Sequence, residues 1–381
     1  MNCDVVIAGG GIVGAACTLA CAQAGMHVVL VERGAIGGGA SAAGMGHIVV
    51  LDGSEAELLL SSRSQELWRA LAAELPASAA YVDAGTLWVA ADDEEMNAAE
   101  SKLAVRRAHG LPASLLNAAG IAAQEPNLRP GLAGGLLVPR DSIVYPPVVA
   151  AYLVQKAQSL GATVMLGRNV ARLGEGEALL DDGTRLAAPR LINAAGADAP
   201  FLLHGLPLRK RKGHLAITAP CPGTLSHQIV ELGYMKSAHS IAADSVACNL
   251  QPRINGQVLI GSSRQFGAED AAVEHEILDR MLRRAYEYLP GLASLNILRA
   301  WTGFRAATPD KLPLIGPVPA DSTLWLATGH EGLGITTSLV TAELLAAAFT
   351  GRPAPIPVAP YLPARLLSAP PRSNPDIKEP H

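Results

Sequence analysis

Three observations in this sequence predict an α/β fold in which a Rossmann-like parallel-sheet domain, assembled from separate stretches of chain, carries an inserted antiparallel-sheet domain. Residues 4–32 read as strand, glycine turn, helix and strand, one βαβ unit. Residues 206–266 alternate in runs such as "LAIT", "IVELGYMKS" and "SVACNLQPRINGQVLIGSS" around an Asn255-Gly256 turn, an antiparallel pattern. Residues 326–349, "LATGHEGLGITTSLVTAELLAAAF", run from a glycine loop straight into an apolar helix. The chain therefore has a loop-to-helix entrance near each end, and the first turn of a helix leaves backbone N–H groups for a polar ligand.

Size and composition narrow the function. At 381 residues, 49% of them hydrophobic, the chain can bury a large core and is expected to make two domains. A formal net charge of -4 gives no footprint for nucleic acid or an anionic membrane, so small molecules or protein partners are expected. The five cysteines are Cys3, Cys17, Cys21, Cys221 and Cys248, an odd number with no C-x-x-C pair and no zinc or iron–sulfur spacing. Cys17 and Cys21, one turn apart in an apolar helix, are read as packing thiols, with no metal implied. The apolar N-terminus lacks a basic leader, carries Asp4 and is broken by glycines, which rejects a signal peptide. No uninterrupted apolar run reaches transmembrane length. The expected location is cytoplasmic, or peripheral to the inner membrane through partners.

The N-terminal unit is specific. "DVVIA" stops at "GGGIVG", and "HVVLVE" follows the helix, so Gly9, Gly11 and Gly14 take G-x-G-x-x-G spacing while Glu32 ends the second strand. Gly9 permits the turn, Gly11 lets a pyrophosphate approach the backbone, and Gly14 lets helix and strand pack closely. Glu32 is placed to accept from a ribose, and Ile12, Val13 and Arg33 belong to the same dinucleotide-binding set. NAD and FAD share this fingerprint. The small-residue loop "GGGASAAGMGHIVV" at 37–50 supplies Ser41, Ala43, Gly44, Met45 and Gly46 as a surface on which an extended cofactor can lie.

Further along, residues 54–74 read as an amphipathic helix, "AYVDAGTLWVA" as a strand, and "DDEEMNAAESKLAVRRAHG" as a solvent-facing helix with an acidic first turn and basic last turn. A helix from Pro147 to Leu160, strands "ATVML" and "RNVARL", and a hairpin at Asp182-Gly183 follow. "RLINAAGADA" returns to the cofactor domain, and a helix spans Ala272 to Leu289. The expected division is 1–53, 141–205 and 306–360 for the cofactor domain, 54–140 and 206–305 for the substrate domain, and 361–381 for a tail docked only in its first part. The run "RKRKGH" at 209–214 either faces an anionic cofactor or partner or is a solvated strand edge. Arg305, among apolar neighbours ahead of a Thr-Pro-Asp turn, calls for a planar anion: a substrate carboxylate or an internal acid.

Together "IAGGGIVG", "VERG" with "GASAAGMG", "LINAAGADA", "GFRAATPDKLPLIG" and "ATGHEGLGI" resemble the D-amino-acid oxidase superfamily of FAD-dependent amine oxidoreductases over residues 1–350. "KGHLAIT", "ELGYMKSAH" and "GSSRQF" resemble the flavoprotein β subunits of bacterial D-hydroxyproline dehydrogenases within it. The resemblance implies the GR2-type FAD-binding domain and glycine oxidase-like chemistry. Gly9, Gly11, Gly14 and Glu32 match its ADP-binding positions, Ser41 to Gly46 its pyrophosphate and flavin segment, and Val170, Ala195 and Gly196 further FAD contacts. Gly332, Leu333, Gly334, Ile335 and Thr336 match the loop and helix start beneath the flavin pyrimidine edge. Arg305 matches the substrate-carboxylate arginine. His47, Tyr234, His330 and Glu331 are candidates to line the amine or ring side, none of them assigned as a general base.

Gly303 stands where monomeric sarcosine oxidases carry the cysteine that attaches flavin, so non-covalent FAD is implied. Gly332 stands where glycine oxidases can carry arginine. The implied reaction is oxidation of a D-imino or amino acid, cis-4-hydroxy-D-proline in the subgroup, by hydride transfer from Cα to flavin N5. The chain would be a hetero-oligomer subunit passing electrons to partner subunits, with FMN or an iron–sulfur cluster on those subunits or at an interface. A glycine or D-amino-acid oxidase using oxygen, an electron-relay FAD subunit without its own substrate site, and an NAD-dependent dehydrogenase are the competing readings.

Overall fold

The computed structural model describes residues 3–233 and 244–367. Its first sheet has six strands, in the order Leu314–Val318, Asp321–Thr328, Arg190–Asn193, Val5–Ala8, Val28–Glu32, Thr163–Leu166. All neighbours run parallel except the edge strand Leu314–Val318. The reason is visible in "VVIA" and "VVLV", which are apolar on both faces, as a strand covered on both sides must be. Val5, Ile7, Val28 and Leu30 pack under the helices Ile12–Gln23, Pro146–Ser159 and Gly334–Thr350. Val6, Ala8, Val29 and Val31 turn the other way, onto a three-stranded sheet that contributes Val170, Leu173, Ala178 and Leu186.

The turn between strand Val5–Ala8 and helix Ile12–Gln23 depends on backbone contact. Gly9 has φ +106, and a Cβ on Gly14 would overlap the Gly9 carbonyl oxygen, so helix and strand meet without intervening side chains. Cys17 and Cys21 are buried on this helix as packing thiols, and burial pushes the Cys21 thiol up to about 12.

The second sheet has eight strands, in the order Ile297–Ala307, Arg209–Thr218, Val258–Phe266, Ser245–Pro252, Gln228–Glu231, Thr86–Ala90, Gly134–Val138, Ser114–Asn117. It is antiparallel except where Gln228–Glu231 runs parallel to Thr86–Ala90. The Asn255-Gly256 turn joins two of its strands, with Gly256 at φ +80. The helix His275–Tyr288 covers one face through Ile277, Met281, Ala285 and Tyr288, spaced as one helical stripe.

Several expectations are corrected. The basic run is no strand edge: Arg209–Thr218 lies between Ile297–Ala307 and Val258–Phe266, and Arg211, Lys212 and His214 are buried. Lys212 is 0% exposed, its ammonium 2.9 Å from Glu274 and 3.3 Å from Asp270, so its charge is neutralised from within the chain. The His214 ring sits 2.9 Å from Ser263 Oγ, and its Nε2 accepts from the Glu274 amide at 3.0 Å. The helix Glu55–Ala72, at the start of the segment expected in the second domain, packs on the first-sheet core through Leu60 and Trp68. The stretch Glu331–Thr350, interrupted by Glu343, is by length and mean composition apolar enough to cross a membrane, but its helix is packed in the core through Val340 and Leu345. The first part of the tail is docked, as expected. Tyr361 is buried and donates to the Ala56 carbonyl at 2.7 Å, and Arg365 pairs with Asp310 at 2.6 Å.

These contacts separate two kinds of glycine. Gly14→Ala is expected to cost about 3 kcal/mol, because the added methyl pries helix from strand. Gly25→Ala, with φ +79 but nothing within 4 Å of its Cβ position, is expected to cost about 1 kcal/mol. Urea unfolding of both variants checks the order, and equal losses would contradict it.

Candidate functional site

A cavity of about 860 Å³ opens between the C-terminal ends of the parallel strands and one face of the larger sheet. Gly9, Gly11, Ile12, Val13, Glu32 and Arg33 line one end. Gly11 caps the helix Ile12–Gln23 in extended conformation with no side-chain cap of its own, and the Ile12 amide donates to Ser41 Oγ at 2.9 Å. The Glu32 carboxylate is held at its strand end by the amides of Gly10 at 2.6 Å and Gly34 at 2.7 Å. Arg33 pairs with Asp198 at 2.5 Å. Val170, Ala195 and Gly196 complete this end. Gly14 lies behind it, at the helix–strand contact.

The short helix Gly39–Ala43 and the following Gly44, Met45 and Gly46 form the middle wall. Gly46 has φ +88, and a Cβ there would overlap the Val144 carbonyl oxygen. A Cβ on Gly303 would overlap that of Ala43, and the Trp301 indole donates to the Ala43 carbonyl at 3.3 Å. The small-residue loop thus rests directly on strand Ile297–Ala307.

Arg305 comes from the same strand and closes the far end. A Cβ on Gly213, in the neighbouring strand, would stand 2.5, 2.8 and 2.9 Å from Arg305 Nη1, Nη2 and Cζ, so the guanidinium lies flat on the backbone there. Nη1 also donates to the Ser263 carbonyl at 3.1 Å. Burial pulls the Arg305 pKa down, the Glu331 charge opposes this, and Arg211 adds to it. Glu331, at φ +47 in the loop, is ion-paired with Arg211. The nearby internal acid is therefore engaged by another arginine.

The glycine loop Gly332, Leu333, Gly334 and Ile335 lines the cavity beside this cluster, together with His330 and His47. The His330 ring is 3.0 Å from Thr341 Oγ1, which itself donates to the Thr337 carbonyl, so His330 Nε2 carries the proton and ties loop to helix. Burial holds its pKa near 4. His47 is likewise held near 4, by burial and then by the charge of Arg253, and among the described residues its Nε2 has no hydrogen-bond partner. Thr336 does not line the cavity. Its hydroxyl donates to the His47 carbonyl at 2.9 Å and accepts from the Val49 amide at 3.2 Å, fastening the helix to the His47–Ile48 strand. Tyr234 lies outside the described residues.

Arg211 and Gly213, from the run at 209–214, line the cavity, in keeping with the cofactor-facing alternative, while sequence reasoning missed Arg264. The signal was strand alternation: 211, 213 and 215, 264, and 303 and 305 share one face across three paired strands. It also missed the half-buried Asp52–Lys102 pair at 2.5 Å among the cavity residues, for which the sequence offers no local cue.

Comparison with known proteins agrees with this geometry. The family model "FAD dependent oxidoreductase" matches residues 4–348. Glycine oxidase from Geobacillus kaustophilus is 30% identical over 90% of this chain and 92% of its own. Hydrogen cyanide synthase subunit HcnC from Pseudomonas protegens is 27% identical over 98% of each. The crystal structure of the Geobacillus glycine oxidase superposes with a TM-score of 0.86, at 27% identity, covering 96% of this chain and 99% of that one. The cradle of glycines at the N-terminal turn, the small-residue loop and the C-terminal glycine loop fits an extended FAD. The chain belongs to the D-amino-acid oxidase family of FAD-dependent oxidoreductases.

Proposed function

We propose that this chain oxidises a carboxylated amine at Cα, with Arg305 holding the substrate carboxylate, FAD bound non-covalently, and electrons leaving to an acceptor on partner subunits. The observation that carries the reading is the geometry of Arg305: a guanidinium laid flat on Gly213 at the cavity end, while Glu331 is occupied by Arg211. A planar, half-buried cation in that position suits a bidentate carboxylate.

Bound FAD supplies the two-electron acceptor for the hydride that leaves Cα. The rest falls to this chain. Arg305 fixes the carboxylate and thereby the direction in which Cα–H points, which is the entropic part of the rate. Cavity-lining Gly332 and Gly334 leave the helix start bare of bulk, so the backbone can approach the cofactor. His47 and His330, held near 4, are neutral at ordinary pH and add no charge to the cavity.

Within this reading the strings "KGHLAIT" and "GSSRQF" favour a D-imino acid, with cis-4-hydroxy-D-proline the first compound to try. The relative HcnC is a hydrogen cyanide synthase subunit, which favours action within an assembly. The glycine oxidase relatives favour oxygen as acceptor instead, and parallel assays with oxygen and artificial dyes separate the two. A relay subunit without its own substrate site predicts no flavin reduction by any amine.

Arg305→Ala is expected to retain FAD and lose about a hundredfold in kcat/KM on carboxylated amines, because one charge-assisted pair is removed. Unchanged substrate affinity would refute the role. Gly303→Ala is expected to weaken FAD binding by displacing Ala43, and Ala43→Gly in the same chain should restore it, since the overlap is between the two β-carbons. Failure of that rescue, read by flavin fluorescence titration, would contradict the cradle. Because the folded His330 pKa lies near 4 against an ordinary 6.5, its neutral form stabilises the fold above pH 6.5 and this is lost as pH falls toward 4. Above about pH 7 it does not titrate, so kcat/KM there should follow the substrate amine, with the same profile in His330→Asn.

A further inference from the structure

Gln228 Oε1, Asn249 Oδ1 and His47 Nε2 are buried and have no hydrogen-bond partner among the described residues. All three residues line the cavity. The larger sheet brings the two amides together. Asn249 is the cross-strand partner of Val230, two residues from Gln228, so both side chains rise from one face of adjacent strands. Gln228 Nε2 donates to the Ser142 carbonyl at 3.3 Å, and because a carbonyl only accepts, this fixes the amide with its oxygen on the other side. Ser142 in turn pairs with Ile48, and His47 faces away from the core that buries Ile48. One stretch of wall therefore presents two acceptors and a neutral imidazole nitrogen, each left unsatisfied, which folding alone disfavours.

Charge narrows what fits there. The charge acting on His47 is that of Arg253, a cation. Of the acids at the same wall, Asp52 pairs with Lys102 at 2.5 Å and Glu57 accepts from the Gly53 amide at 3.0 Å, so both are engaged. A second ammonium is poorly served by such surroundings and a neutral donor well served. We propose that Gln228 and Asn249 set specificity by receiving the hydrogens of a neutral polar group, a carboxamide or a hydroxyl, carried by the substrate a few bonds from its carboxylate. A carboxamide offers two N–H donors, one for each amide oxygen, and a carbonyl oxygen for His47; a hydroxyl satisfies one acceptor alone. The spacing suits this. The Arg305 guanidinium lies over Gly213, and the strand of Asn249 is two strands beyond that of Gly213, roughly 10 Å at ordinary strand separation. With a hydrogen bond at each end, that span takes a molecule whose carboxylate and donor are a few bonds apart. The proposal rests on Arg305 holding the carboxylate, as in the function above. It makes the substrate class an amino or imino acid with an uncharged polar side group rather than glycine or an alkyl amino acid, because an apolar group leaves both oxygens unpaired.

The test titrates FAD-loaded protein with two non-oxidisable ligands of one shape, 4-carbamoylpyrrole-2-carboxylate and 4-acetylpyrrole-2-carboxylate, followed by the flavin spectrum. They differ only in that a methyl group replaces the NH2. The carbamoyl ligand is expected to bind at least about tenfold tighter. Asn249→Ala should compress that ratio to within about threefold, and Asn249→Asp, which keeps an acceptor, should preserve most of it. Equal binding of the two ligands by the unaltered protein, as at a wall that holds only water, would overturn the proposal. So would a tenfold ratio that survives Asn249→Ala, which marks a structural residue. Arg305→Ala is the separate check on the underlying reading: if that variant binds both pyrroles as tightly as the unaltered protein, the function above fails instead, whereas the ratio of the two ligands reports Asn249.

Discussion

The site depends on one place where two pieces of backbone have no room for a side chain between them. Gly213 and Gly303 face each other across the strands Arg209–Thr218 and Ile297–Ala307. On Gly303 sits Ala43 of the small-residue loop, and on Gly213 lies the Arg305 guanidinium. The larger sheet therefore touches the cofactor loop and carries the arginine on the same pair of residues. The distance between Arg305 and the small-residue loop is then fixed by rigid sheet geometry rather than by a flexible loop, which is what the proposed orienting of a Cα–H requires.

The electrostatics follow from that arrangement. Bringing Arg211 and Arg305 side by side on a half-buried face is tolerable because Glu331 reaches back from the C-terminal loop to Arg211. This contact joins the inserted sheet to the start of helix Gly334–Thr350, and it explains a non-glycine residue at positive φ in the loop. The residual positive charge keeps the far end of the cavity attractive to anions. On the reverse side of the same strand, Lys212 is neutralised by Glu274 and Asp270, so the strand carries cations on both faces with different partners for each.

Much of this was legible in the sequence. The parallel strands, the N-terminal turn and the Asn255-Gly256 hairpin were readable because each depends on local pattern: doubly apolar strands, glycine spacing, a two-residue turn. Arg305 could be picked out because an arginine among apolar residues must find an anion. The basic run at 209–214 was left open between a cofactor-facing strand and a solvated edge because local sequence cannot say whether a strand is central or at an edge; that is decided by Ile297–Ala307 and Val258–Phe266 pairing on its two sides. Arg264 escaped for the same reason, since its face of the sheet is set by register with strands distant in sequence. Thr336 was counted with the cofactor set, but its side chain fastens the helix to the His47 strand, a contact spanning most of the chain.

The most direct test is anaerobic reduction of the FAD-loaded protein by matched amines that differ only in the carboxylate. D-proline or cis-4-hydroxy-D-proline should bleach the visible flavin absorbance, while pyrrolidine and 3-hydroxypyrrolidine at the same concentration should not. Equal bleaching by the decarboxylated amines, or none by any carboxylated amine, would contradict the claim that this cavity orients its substrate through a carboxylate held at Arg305.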